Sequence, residues 1–89
     1  MNSIIAYTFW SPICEPCKLI KPSLEALKED FDSVHWVSVN IRADTEQFAS
    51  KFGVDRVPTM VVVVDGNVVG KVTGTSMSEY YRILRQATR

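Results

Sequence analysis

The amino-acid sequence predicts an α/β fold: a four-stranded mixed sheet with helices on both faces, in the order β-α-β-α-β-β-α. Three observations point to it. β-branched and aromatic runs alternate with segments whose apolar residues recur at helical spacing, the pattern of strand–helix units. Asp65-Gly66-Asn67 separates the last two apolar runs and reads as a hairpin turn. Eighty-nine residues close only one hydrophobic core, so residues 1–89 are expected to form a single domain.

The elements follow in order. Residues 4–10 (Ile-Ile-Ala-Tyr-Thr-Phe-Trp) are β-branched and aromatic and stop at Ser11-Pro12, a strand without strict alternation, as suits one covered on both faces. A helix then begins near Cys14 and Cys17. Its residues Ile20, Leu24, Leu27 and Phe31 fall at i, i+4, i+7 and i+11 on one face. Pro22 interrupts that pattern and should kink the helix, because proline lacks an N–H and crowds the preceding turn. Residues 35–41 return to strand composition, with Val37, Val39 and Ile41 expected on one face. Asp44 and Gln47 have cap spacing. A short helix should follow, with Phe48, Ala49 and Phe52 inward and Gly53 as its stop. Thr59 to Val64 ends in four consecutive valines, and the hairpin leads into Val68–Val72. Ser76 and Glu79 have the spacing of a capping box, and Met77, Tyr80, Tyr81 and Leu84 make the apolar stripe of a last helix. Right-handed crossovers would make the first two connections parallel, and the hairpin would add an antiparallel edge.

Composition narrows the function. Apolar residues are 46% and charged residues 22%, ordinary globular usage that argues against disorder. Ten Lys and Arg balance ten Asp and Glu. That removes the electrostatic case for nucleic acid or an anionic membrane, which need a basic surplus. No apolar run approaches the ~20 residues that span a bilayer. The start, Met1 to Tyr7, has no basic segment ahead of its apolar stretch and does not read as a signal peptide, so a cytoplasmic location is expected.

The two cysteines are the most informative pair. Cys14-Glu15-Pro16-Cys17 has the C-x-x-C spacing, too little for a disulfide-stapled miniprotein. A structural zinc site normally takes four ligands, and with His35 the chain's Cys and His supply only three. Thiol–disulfide exchange needs one exposed, partly ionised thiol and a second within reach to resolve the mixed disulfide. Cys14 is expected at the N-terminal end of the first helix, where free N–H groups and the helix dipole stabilise a thiolate. Cys17, one turn further in, is expected to be more buried. Cys14 then attacks and Cys17 resolves, with Pro16 suited to the first helical turn. Glu15 beside Cys14 should disfavour the thiolate and push the pair toward a reducing potential, while Lys18 acts in the opposite sense. The plain alternative is two ordinary buried cysteines.

Phe9-Trp10-Ser11-Pro12-Ile13-Cys14-Glu15-Pro16-Cys17-Lys18 resembles the active-site segment of the thioredoxin family, in which an aromatic pair precedes a C-G-P-C-K motif. Pro22 matches the family's kinking proline, Arg56-Val57-Pro58-Thr59 resembles its cis-proline loop, and Asp65-Gly66 and Gly74 match as well. The resemblance implies a minimal thioredoxin fold and a disulfide reductase acting through Cys14 and Cys17 without a bound cofactor. It implies that Val57, exposed by a cis bond at Pro58, pairs with an incoming peptide strand. Trp10, Ile13, Val57, Pro58 and Gly74 would form an apolar substrate platform, whereas the plain reading of Trp10 and Ile13 is core packing. Protein disulfides are the implied substrates, a thioredoxin-reductase-like flavoprotein the implied electron donor, and a monomer the expected state.

Three departures qualify the resemblance. The chain is expected to begin at the family's central strand, as in glutaredoxins and small phage and archaeal thioredoxins. Glu15 replaces the motif's glycine, and Ile13 the tryptophan usual before the first cysteine. Thr8 stands where the family keeps a buried aspartate and Ser38 where its lysine partner lies, so neither charge is left buried alone. Two other functions remain open at this point. A glutathione-dependent glutaredoxin-like enzyme would use Lys18, Arg42 and Arg56 as its cationic groove, although glutaredoxins carry proline next to the first cysteine. A docking subunit would survive loss of its cysteines. His35 reads as a strand-edge residue.

Overall fold

The structure, a computed structural model, describes residues 3–89; of the N-terminal stretch read above, Met1 and Asn2 lie outside the described residues. The elements are β1 (Ile4–Trp10), α1 (Glu15–Asp30), β2 (His35–Asn40), a 3-10 turn (Ile41–Ala43), α2 (Phe48–Lys51), β3 (Thr59–Val64), β4 (Asn67–Thr73) and α3 (Met77–Ala87). The sheet order is β2-β1-β3-β4. β1 and β2 are parallel, with Thr8 opposite Ser38 and Trp10 opposite Asn40. β3 and β4 pair antiparallel across the Asp65-Gly66 turn, where both residues have positive φ.

The direction of β3 corrects one expectation. It runs antiparallel to β1, with Phe9 opposite Thr59, so the second connection is not a parallel crossover. The reason is the four-residue α2. Such a helix rises only ~6 Å, against the ~20 Å of a six-residue strand. The chain therefore turns back at the end of the sheet where β1 and β2 stop, and this places Val57 and Pro58 beside the turn that follows β1.

Two apolar clusters hold the layers. On one face, Ile20 and Leu27 of α1, Phe31 just past its end, and Tyr80, Ile83 and Leu84 of α3 pack with Ala6, Met60 and Val62. On the other, Phe48 and Phe52 cover Phe9, Val61 and Val63, and the Tyr7 ring lies 5.0 and 4.8 Å from the two phenylalanines. Each such large side chain contributes about 1.5–3 kcal/mol on burial, which outweighs any local propensity here.

Several local details differ from the sequence reading. Ile41 leaves the strand face and is 40% exposed, because Asn40 caps a 3-10 turn by accepting from the Arg42 N–H at 3.0 Å. Asp44 does cap α2, accepting from Phe48 and Ala49 at 3.0 and 2.9 Å, but Gln47 sits in the left-handed region with φ 56 and returns no bond. Ser76 precedes α3 without a side-chain cap, and Glu79 pairs with Arg82 instead of completing a box. Ile83 takes the buried place expected for Tyr81, which is half-exposed against Phe31. Pro22 lies inside α1, where the sequence places it.

Candidate active site

The site is built where β1 stops. The Ser11 carbonyl accepts the Cys14 N–H at 3.1 Å and the Ser11 hydroxyl accepts the Ile13 N–H at 3.3 Å, closing a turn that delivers Cys14 to the start of α1. Cys14 is the residue that caps α1. Its backbone is extended (φ −95, ψ 108) and its Sγ accepts the Cys17 N–H at 3.2 Å. A donor and the positive end of the helix thus converge on this sulfur, the arrangement that favours a thiolate there. Cys14 and Cys17 form a disulfide with Cα atoms 5.3 Å apart. Cys14 is half-buried, while Cys17 is 7% exposed. Glu15 and Lys18 pair with each other at 3.2 Å, and their side chains are 78% and 58% exposed, so solvent and mutual neutralisation weaken the pull of each on Cys14.

The second wall is the turn before β3. Val57 and Pro58 are joined by a cis bond, and the Val57 carbonyl oxygen lies 3.8 Å from Cys14 Sγ. Hydroxyls hold this loop. Thr59 donates to the Arg56 carbonyl at 2.6 Å and meets the Thr73 hydroxyl at 3.0 Å. The Gly74 N–H donates to the Pro58 carbonyl at 2.9 Å, and Gly74 has φ 108, a conformation that glycine adopts without a Cβ clash. The Tyr80 hydroxyl donates to the Gly74 carbonyl at 2.7 Å. Burial pushes the Tyr80 phenol from 10.0 up to about 12.

Cys14, Cys17, Val57, Pro58 and Gly74 thus come together. Trp10 is half-buried next to them, and its indole N–H donates to the Ser38 hydroxyl at 2.7 Å. Ile13 is 73% exposed, so it is no core residue. His35 pairs with Ile5 at the opposite end of β1, far from the cysteines. Arg42 and Arg56 are exposed and make no ion pair among the described residues. Among the described residues no three His, Cys, Asp or Glu side chains group as metal ligands. Sequence reasoning missed Ser11, Thr59 and Tyr80 as supports. Tyr80 had a signal, since a buried tyrosine normally finds a partner for its hydroxyl.

The thioredoxin family model matches residues 1–86. The chain belongs to the thioredoxin family. It is 35% identical to a Bacillus subtilis thioredoxin over 79 residues, spanning 88% of this chain and 75% of that protein. It is 33% identical to the chloroplastic thioredoxin F1 of Arabidopsis thaliana over 81 residues, 91% of this chain but 44% of that protein. The X-ray structure of Fasciola hepatica thioredoxin superposes with a TM-score of 0.86 at 27% identity, covering 94% of this chain and 80% of the other. As a thioredoxin with an adjacent Cys14–Cys17 pair, the chain is a thiol–disulfide oxidoreductase of the protein-disulfide reductase type. Among the described residues no helix is long and apolar enough to cross a membrane.

Proposed function

We propose that the chain reduces disulfides in extended protein segments, with Cys14 as the attacking and Cys17 as the resolving thiol. The observation that carries this reading is the asymmetry of the pair: Cys14 Sγ receives the Cys17 N–H at the helix start, and Cys17 lies buried behind it. The Cys14 thiolate attacks one sulfur of the substrate disulfide and bonds to it, and the other sulfur leaves as a thiolate and takes up a proton. Cys17, once deprotonated, attacks Cys14 Sγ. The bond to the substrate breaks, the second substrate thiol departs, and the Cys14–Cys17 disulfide remains. The substrate gains two electrons and the pair loses them.

Val57 supports the strand-addition mode, because its carbonyl lies close to Cys14 Sγ and a peptide paired there brings its own sulfur into line. Ile13, Trp10, Pro58 and Gly74 supply the apolar and backbone surface around it, and Glu15, Pro16 and Lys18 tune the attacking thiol. The chain works as one domain and a monomer, since every group in this scheme comes from the same chain. It works in the cytoplasm, where the thiol pool is reducing. A thioredoxin-reductase-like flavoprotein restores the dithiol.

Two measurements test this. Cys17→Ser should accumulate a mixed disulfide on Cys14, and Cys14→Ser should form none; a cellular role that survives both substitutions would instead make the chain a docking subunit. Equilibration in glutathione buffers should give a potential near the thioredoxin value of about −270 mV, whereas one near about −200 mV with a stable glutathione adduct on Cys14 would move the reading to glutathione-dependent chemistry.

A further inference from the structure

Between α1 and the strands β1 and β2 lies a cavity of about 290 Å³. Cys17, Ile20 and Pro58 line its buried part, and Trp10, Pro12 and Leu24 line it nearer the surface. Ile13, Cys14 and Val57 take no part in the lining. The space is therefore distinct from the platform around Cys14, although Trp10 and Pro58 wall both. Four of the five hydroxyls on the lining are already engaged within the protein. Thr59 and Tyr80 donate to the Arg56 and Gly74 carbonyls, Ser11 accepts the Ile13 N–H, and Ser38 accepts the Trp10 indole. What the cavity offers a guest is chiefly carbon and sulfur. An apolar cavity of roughly 150 Å³ takes one benzene ring. This one has the space of a ring with a short chain.

The charged groups of the lining all stand along one side of α1. Lys18, Lys21, Glu25 and Lys28 fall at i, i+3, i+7 and i+10 and form a rim. Glu25 and Lys28 lie 3.4 Å apart, and Lys18 pairs with Glu15 at 3.2 Å. Lys21 is exposed and makes no ion pair among the described residues. The strands put no acidic or basic side chain on the lining. Three ammonium groups thus stand over an apolar slot against one carboxylate. Small-molecule sites have this make-up: an apolar body of surface with a few placed polar groups. A neutral apolar guest would use the slot alone, whereas an acid uses the slot and the rim.

We propose that this cavity binds small apolar monocarboxylic acids, of the arylalkanoate class, with the ring against Ile20, Leu24 and Cys17 and the carboxylate at the mouth beside Lys21. The carboxylate keeps its water there, so no charge enters the apolar space. Burial of the ring carries the affinity, and the exposed Lys21 ammonium selects the anion over a neutral molecule of the same shape. No bond to either sulfur forms or breaks.

The test titrates the whole oxidised protein, isotope-labelled for amide resonance spectroscopy, with hydrocinnamate (a phenyl ring on a propionate chain) and separately with its neutral amide. The backbone signals of Cys17, Leu24 and Ser38 should shift and saturate at about millimolar hydrocinnamate, as suits so small a ligand. Lys21→Gln should weaken the acid about two- to fivefold, the worth of one exposed charge pair, and leave the amide unchanged. Lys21→Arg should restore the acid. Leu24→Trp, which fills the slot, should abolish binding of both. Should Leu24→Trp not fold, the Lys21 variants and the position of the shifting signals decide by themselves. Shifts confined to Ile13, Cys14 and Val57, shifts that never saturate, or equal affinity of the acid for the parent and Lys21→Gln would each overturn the proposal.

Discussion

At the scale of single residues, chemistry here is decided by what surrounds one sulfur. Cys14 Sγ accepts a backbone N–H at 3.2 Å from the first turn of α1. Glu15 adds a carboxylate beside it, but Lys18 holds that carboxylate at 3.2 Å in an exposed pair. Exposed pairs are worth about 0–1 kcal/mol, so the sulfur feels a nearly cancelled dipole and not a full charge. Glu15→Gln should therefore move the ionisation of Cys14 slightly downward, and Lys18→Gln slightly upward. Ultraviolet titration of the reduced Cys17→Ser protein reads each directly. A rise in Glu15→Gln would mean that the carboxylate acts by holding the helix start and not by charge. The cysteine pair is legible from its spacing, whereas Val57, Pro58 and Gly74 enter through the family resemblance, and the structure brings these positions together. Ser11 and Thr59 were not legible, because each acts through a backbone carbonyl or N–H whose position only the folded turn sets.

At the scale of elements, the sequence told type better than direction. β1 and β3 have their expected bounds, since their β-branched runs stop at turn residues. The direction of β3 was not legible, because it depends on how far α2 carries the chain, and the apolar positions of α2 do not say that the helix is one turn long. The close approach of α3 to β4 was equally hidden. A Cβ built on Gly70 would overlap Ile83 Cγ2, so α3 rests on the bare backbone of β4 at that point. Gly70→Ala should cost about 1–3 kcal/mol through overpacking, seen as a lower midpoint in urea with an unchanged slope. Gly70→Ala combined with Ile83→Ala should cost less than the sum of the two single changes, because the second removes the atoms that the first strikes. Strict additivity would place the damage elsewhere in the strand.

At the scale of the whole molecule, Tyr80 ties the far helix to the site. Its ring is 1% exposed in the α1–α3 cluster, and its hydroxyl reaches the Gly74 carbonyl, whose own N–H holds the Pro58 carbonyl. Core packing and the loop facing Cys14 are therefore one unit, and titrating the phenol probes it. Burial raises this group from 10.0 to about 12. The unfolded chain loses the proton first, at about pH 10, while the folded chain keeps it to about pH 12. Between those limits the folded state binds more protons than the unfolded one. The contribution of Tyr80 is thus fully present below about pH 10 and is lost as pH rises toward 12. Tyr80→Phe removes both the titration and the hydrogen bond. It should be less stable at pH 8 by about 0.5–1.5 kcal/mol, the worth of one such bond. Its stability should then fall less steeply than that of the parent between pH 10 and 12. Urea midpoints of the two proteins at pH 8, 10 and 11.5 give both quantities, and Tyr7 and Tyr81 are common to both chains. Parallel curves above pH 10 would show that Tyr80 ionises as easily folded as unfolded, and the tie between α3 and the Pro58 loop would then be packing alone.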